Sequence, residues 1–451
     1  MKKILIVTLS WSWWSLKKCL LYFILTLPFT LPYVVIMKSA QVRNYIFVPM
    51  PEPNRISRPA IKWDWQSFGA PVRVGFAKRE ITPSFRFFGP FLGGYSPFHP
   101  ALAVHDPLWV KSLALEDADG NYVVIVYVDS LGLLPKDIYE ALREVKRGFY
   151  GRVFAGATHT HAAPDVLGPW GGRNKRYLSF VQKQIAGAAD ESLADLQEAR
   201  LRFGQGELLG KAHGREENPA DPTVSVIQIL KKDGALITAV KWDCHADTGK
   251  SLYVSADFPF YSEQRLKGFW GEKSETMFVP GAIGGVQPTG DRLEDTELVG
   301  QLGEGLADAV WQIMKKPIKL KKINIFSEKL FVRAPFENQD NLRKAYDRGL
   351  LPADLLDSAG QVTAEVGRIV IGPAEILTVP GELFPKIWWR VKPRMRGQLR
   401  MIFGLVNGEA GYILLPEDYY SGKHEYHAGM SVGPKFGEEV EKGLKQLTSD
   451  H

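Results

Sequence analysis

Two histidines one residue apart, His159 and His161, follow an apolar run in RVFAGATHTHAAPD. Neutral imidazole is the commonest protein ligand for zinc and the usual acid/base near neutral pH. In an extended strand, residues i and i+2 share a face, which sets these two rings roughly 6.5–7 Å apart along one side. Two hydrogen-bonded polar residues at a strand end would show the same spacing, so the pair needs partners elsewhere in the chain.

Those partners come from other segments that read as strand ends. His245 closes ALITAVKWDCH, Gly284, Gly285 and Gln287 follow ETMFVP, Glu382 follows Pro-Gly in TVPGELF, and Tyr412 lies in NGEAGYILLP. Loops at one end of α/β strands are where sites are usually built. Two imidazoles and a carboxylate from different strand ends match a zinc site with an open position. Plainer roles exist for each: Glu382 at a helix start, Tyr412 as a half-buried aromatic, His245 as a core histidine. Cys244 beside His245 reads as a small buried hydrophobe. His424 and His427, spaced i, i+3 in GKHEYHAG, read as loop residues because of the flanking glycines.

The elements that must position these residues alternate. Around Asp119-Gly120-Asn121 the segment VKSLALEDADGNYVVIVYVDS reads as strand, turn, strand, and VVIVYV suits a strand buried on both faces. A long helix is expected over 173–199. Leu298, Leu302, Leu306, Val310 and Ile313 mark the core-facing stripe of another. The pattern predicts an α/β fold with mixed β-sheets flanked by helices, forming a single large catalytic domain behind an N-terminal membrane anchor.

The charge distribution supports that order. Residues 1–50 carry Lys2, Lys3, Lys17, Lys18, Lys38 and Arg43 and no acid, which accounts for the whole net charge of +6. The remaining chain is neutral, which argues against a nucleic-acid partner. Cys19–Met37 is uncharged and apolar, and the lysines before it place the N-terminus in the cytoplasm and the body outside. Residues 1–38 are therefore expected to be a retained membrane anchor, 39–72 a Pro-rich linker, and 73–451 the catalytic domain. Cys19 and Cys244 offer the body no internal disulfide.

From about Val72 to Gly437 the sequence resembles the catalytic domain of the neutral/alkaline non-lysosomal ceramidases. The resemblance rests on VGFAKREITP, GATHTHAAPD, a histidine before SADFP, IGGVQP, VPGELF, and GY followed by LPEDYY. It implies zinc (Zn2+) ligation by His159, His245 and Glu382, with Tyr412 approaching the metal. It also implies a role for His161 in substrate or proton transfer. The family hydrolyses the amide bond of N-acyl sphingosines. The expected function is thus a zinc-dependent hydrolase cleaving an N-acyl, ceramide-like lipid by metal-activated water. A zinc esterase or lactonase and a non-catalytic lipid- or partner-binding protein are the alternatives. Two departures stand out: Gln287 occupies the position of a family serine needed for activity, and the family continues into a β-sandwich domain where this sequence ends. Gln287 is expected to hold a substrate carbonyl or amide, and Asp165 and Asp247 to orient the imidazoles.

Overall fold

The computed structural model describes residues 63–85, 90–248, 252–290, 296–320 and 322–449. The expected anchor, 1–38, and most of the linker lie outside them. Among the described residues no helix is long and apolar enough to cross a membrane. Everything described belongs to one compact unit, residues 47–451.

Two β-sheets form the middle of the molecule. The larger contains β1 (Pro71–Glu80), β2 (Trp109–Glu116), β3 (Tyr122–Val128), β4 (Val153–Ala157), β5 (Gln197–Glu207), β6 (Thr223–Lys231), β7 (Leu236–Trp242) and β8 (Ser274–Pro280). Their spatial order is β8-β7-β6-β5-β1-β2-β3-β4. Pairing is parallel for β3–β4 and β7–β8 and antiparallel elsewhere, so the sheet is mixed, as expected. The smaller sheet orders β9 (Ile325–Pro335), β10 (Gln361–Ile371), β11 (Ala374–Thr378) and β12 (Leu399–Phe403) consecutively, with β11–β12 parallel.

Alternation along the strands explains how these sheets stack. In β3, Val123, Ile125 and Tyr127 join one core with Ile369, Ile376 and Met401 of the smaller sheet. Val124, Val126 and Val128 point the other way, onto the helix Lys175–Ala194. Both faces of β3 are therefore dry, which is why VVIVYV is a continuous apolar run rather than an alternating one. Helices Phe258–Trp270 and Thr296–Ile313 cover the rest of that outer face, burying Leu302, Leu306 and Val310. Pro434–Leu447 and Pro385–Val391 cover the outer face of the smaller sheet. The architecture is helix–sheet–sheet–helix, and each fully buried aliphatic or aromatic side chain contributes about 1.5–3 kcal/mol.

Two boundaries differ from expectation. Helix Lys175–Ala194 stops short of 199 because Gln197–Glu207 is recruited into the sheet beside β1. Residues 68–72, expected within the linker, belong to the packed domain: Phe68, Ala70 and Val72 are buried in the core clusters. Proline-rich composition hid this, since three apolar residues carry too little periodicity to read as an element.

Candidate metal centre and cleft

β4, β7, β8, β11 and β12 all deliver their C-terminal ends to one place. His159 and His161 follow β4, His245 follows β7, Val286–Pro288 follows β8, Glu382 follows β11 and Tyr412 follows β12. A short parallel pairing of Glu382–Leu383 with Tyr412–Ile413 fixes those two side chains beside each other.

The two strand-end histidines do converge, but not by strand alternation. β4 ends at Ala157, and His159 sits at φ +64°, in the left-handed region. That conformation costs about 1–2 kcal/mol for an L-residue and breaks the extended geometry. The chain turns instead, and the rings of His159 and His161 end 5.0 Å apart. The His161 amide donates to the Ala246 carbonyl at 3.1 Å, tying this turn to the loop that carries His245. The rings of His159 and His245 are 4.7 Å apart. A Cβ at Gly94, whose φ is +89°, would fall 2.3 Å from His161 Nδ1, so only glycine leaves room for that ring.

The hydrogen bonds fix the tautomers. His159 Nδ1 lies 2.6 Å from the Leu131 carbonyl, and His245 Nδ1 lies 2.7 Å from the Val286 carbonyl. A carbonyl can only accept, so both Nδ1 atoms carry hydrogen. The Nε2 atoms of both rings then face Glu382 Oε2, at 3.5 Å and 2.8 Å. Two lone pairs cannot rest against a carboxylate oxygen without a cation between them, a proton or a metal. His159, His161 and His245 each offer a ring nitrogen within 4.8 Å of the others, and all three are buried. These three histidines could hold a metal ion. Nδ1–H to a backbone carbonyl, leaving Nε2 to ligate, is the usual support for metal-binding imidazoles.

Electrostatics agree. Burial opposes ionisation of Glu382, but the adjacent His159 and His245 outweigh it and hold the carboxyl well below the usual range. Burial, with the Glu382 charge adding to it, pushes the Tyr412 phenol well above its ordinary value, so it stays a donor. Burial and Glu382 likewise push Glu409 well up.

An apolar cleft opens over this cluster. His159, His161, Glu382, Glu409 and Tyr412 line its polar end. Leu131, Leu134, Leu167, Trp170, Leu351 and Met430 are among the apolar side chains beyond.

Other expectations fare differently. Asp165 does not serve an imidazole. Its carboxylate accepts from the amides of Leu167, Gly168, Trp170 and Gly171 at 2.7–3.0 Å and shapes the loop that walls the cleft. Asp247 does approach His161, with Oδ1 3.9 Å from Nδ1. Gln287 does not line the cleft. It pairs through its backbone with His213, its side chain is buried, and its neighbour Val286 supplies the carbonyl that orients His245. Cys244 is fully buried, as expected. Of the two histidines expected in a loop, His424 caps the start of the short helix Glu425–Gly429 and His427 lies within that helix. The His427 ring packs 4.6 Å from that of Tyr412. Glu409 was not anticipated, because one carboxylate in NGEAGY carries no spacing signal of its own.

No family model and no curated protein sequence matches the chain. Solved structures do. Neutral ceramidase from Pseudomonas aeruginosa superposes with a TM-score of 0.70 at 18% identity, covering 84% of this chain and 74% of that one.

The chain has a neutral ceramidase-like fold.

A second match, to a ceramidase complexed with C2, gives a TM-score of 0.69 at 17% identity over 84% of this chain and 75% of that one. At such identity the likeness is one of fold. In the neutral ceramidase-like fold of this chain, the histidine cluster sits where strands from both sheets end together.

Proposed function

We propose that this protein is a zinc-dependent hydrolase that cleaves the amide bond of an N-acyl, ceramide-like lipid. One observation carries the reading: two tautomer-fixed imidazoles and a buried carboxylate converge at the polar end of an apolar cleft. The neutral ceramidase-like fold supports the choice of substrate class. His159, His245 and Glu382 would hold the ion, a donor set suited to zinc with an open position. When bound, zinc supplies a Lewis acid and makes water nucleophilic at neutral pH.

The side chains account for the remaining work. Tyr412, kept protonated, donates a hydrogen bond to the oxygen that gains charge as the carbonyl carbon is attacked. His161 passes a proton to the leaving amine, and the Asp247 carboxylate lies 3.9 Å from its Nδ1. Apolar walls bind the acyl or long-chain base and exclude water from the reacting centre. No serine nucleophile is required, which fits Gln287 at the position where the family carries serine. The proposal includes attachment to a membrane through Cys19–Met37 with the domain on the extracytoplasmic side, read from the basic N-terminus.

The test is a hydrolysis assay of the zinc-loaded full-length chain with N-acyl sphingosines of several acyl lengths, beside simple esters. Release of fatty acid that is lost on chelation and restored by zinc is the expected result. Cleavage of esters alone would favour an esterase. Tight lipid binding without any turnover would favour a non-catalytic binding protein.

A further inference from the structure

A second group of metal-type donors converges away from His159 and His245. Glu216, His424 and His427 bring a carboxylate oxygen and two ring nitrogens within 4.8 Å of one another. Glu216 Oε2 is 3.0 Å from His424 Nδ1 and 3.3 Å from His427 Nδ1. Glu382 shows the same arrangement, one carboxylate oxygen facing two imidazole nitrogens.

The surrounding chain holds this group in place. Glu216 and Glu217 both lie in the left-handed region, at φ +53° and +66°. The Arg215 amide donates to the Gly285 carbonyl at 2.7 Å, and Asn218 Nδ2 donates to the Gly284 carbonyl at 2.5 Å. The ring of Phe384 packs edge-on against both histidines, at 5.2 Å and 5.4 Å. Holding two consecutive non-glycine residues at positive φ is costly, and the conformation carries the Glu216 carboxylate to the histidines.

A separate observation points to a ligand. His427 is 0% exposed, and neither ring nitrogen makes a well-aligned hydrogen bond among the described residues, although Nδ1 faces the Glu216 carboxylate at 3.3 Å. Leaving a buried polar group unsatisfied costs about 1–3 kcal/mol. A cation accepting the Nδ1 lone pair would remove the part of that cost that falls on Nδ1. Two imidazoles and one carboxylate suit zinc, whereas calcium and magnesium prefer all-oxygen sites.

We propose that Glu216, His424 and His427 form a second zinc site, separate from the one at His159, His245 and Glu382. It opens to solvent on the Glu216 side, the exposed member of the three. Zinc there ties the loop around Arg215–Asn218 to the Glu425–Gly429 helix, and so braces His427 against Tyr412. The site is structural and does not depend on the hydrolase reading.

Zinc content of the full-length chain, measured by elemental analysis after equilibrium dialysis, tests this. The wild type is expected to hold about two zinc ions, and His424→Ala, Glu216→Gln and His159→Ala about one each. Combining Glu216→Gln with His159→Ala should leave almost none. Cobalt titration gives a second readout: visible d–d absorption of the loaded wild type should fall by about half in Glu216→Gln. Glu216 is exposed, so its variant folds even if His424→Ala does not. One zinc in the wild type, lost in His159→Ala and kept in Glu216→Gln, overturns the proposal. Two zinc ions persisting in both Glu216→Gln and His424→Ala overturn it equally. An inactive wild type that still loses one zinc in Glu216→Gln would sink the hydrolase reading alone.

Discussion

The Nε2 atom of His245 lies 2.8 Å from Oε2 of Glu382, while Nδ1 of the same ring donates to the Val286 carbonyl at 2.7 Å. With Nδ1–H committed to that carbonyl, Nε2 of the buried ring is aimed at a buried carboxylate. That contact is stable only with positive charge between the two groups. In Glu382→Gln the carboxylate charge goes while the shape stays. We expect zinc affinity to fall by more than the ~10–100-fold typical of losing an outer partner of a metal ligand. Isothermal titration of zinc into metal-stripped protein reads this directly. Unchanged affinity would remove Glu382 from the ligand set.

Tyr412 separates binding from chemistry. Its phenol is held protonated beside Glu382 and faces the cleft. Tyr412→Phe removes one hydroxyl and little volume. Loss of one donor to a developing oxyanion typically costs ~10²–10³ in kcat. The expected variant keeps its zinc at the His159 centre and its KM, and loses about a hundredfold in kcat. A normal kcat would mean that the oxyanion is stabilised by other groups.

Asp165 follows the opposite logic. Four amides, those of Leu167, Gly168, Trp170 and Gly171, spend their hydrogen bonds on its carboxylate. Asp165→Ala leaves those donors unsatisfied and should cost about 3 kcal/mol of stability. Zinc content should be unchanged, while KM for long-chain substrates rises because the loop bearing Leu167 and Trp170 loosens. Thermal melts with zinc analysis distinguish this from a metal-supporting role, in which zinc would be lost as well.

Acid sensitivity has an identifiable source outside the metal centre. Glu263 is buried against Lys111 and Lys267. Burial opposes its ionisation, yet the two ammonium groups prevail and bring its carboxyl down to about 2. The folded state thus binds this proton more weakly than the unfolded state does. The resulting stabilisation is full above the unfolded value near ~4.3 and is lost as pH falls from there towards 2. It amounts to about 3 kcal/mol. In Glu263→Gln, melting temperature should lose this part of its pH dependence. Stability at pH 7 should also fall, by about 3 kcal/mol or more, because Lys111 is left buried without its partner. A variant as stable as wild type at pH 7 would show that Lys111 finds another carboxylate.

Much of this protein was legible in its sequence. The Asp119-Gly120-Asn121 turn and the continuous apolar run VVIVYV marked two strands, one of them buried on both faces. The order of THTH, a histidine before SADFP, and PGELF carried the resemblance to neutral ceramidases that the fold then bore out. Apolar periodicity and local motifs are properties of neighbouring residues, so they survive without any tertiary context. The geometry of the centre is not such a property. Residue spacing placed His159 and His161 on one face of a strand, whereas a left-handed turn at His159 brings them together. Asp165 looked suited to orient a ring until the loop amides claimed it. Glu216, distant in sequence from His424 and His427, becomes their partner only when the Arg215–Asn218 loop is pinned to Gly284 and Gly285. Which donor meets which acceptor is decided by long-range packing of two sheets and the loops at their ends, and no local pattern encodes that choice.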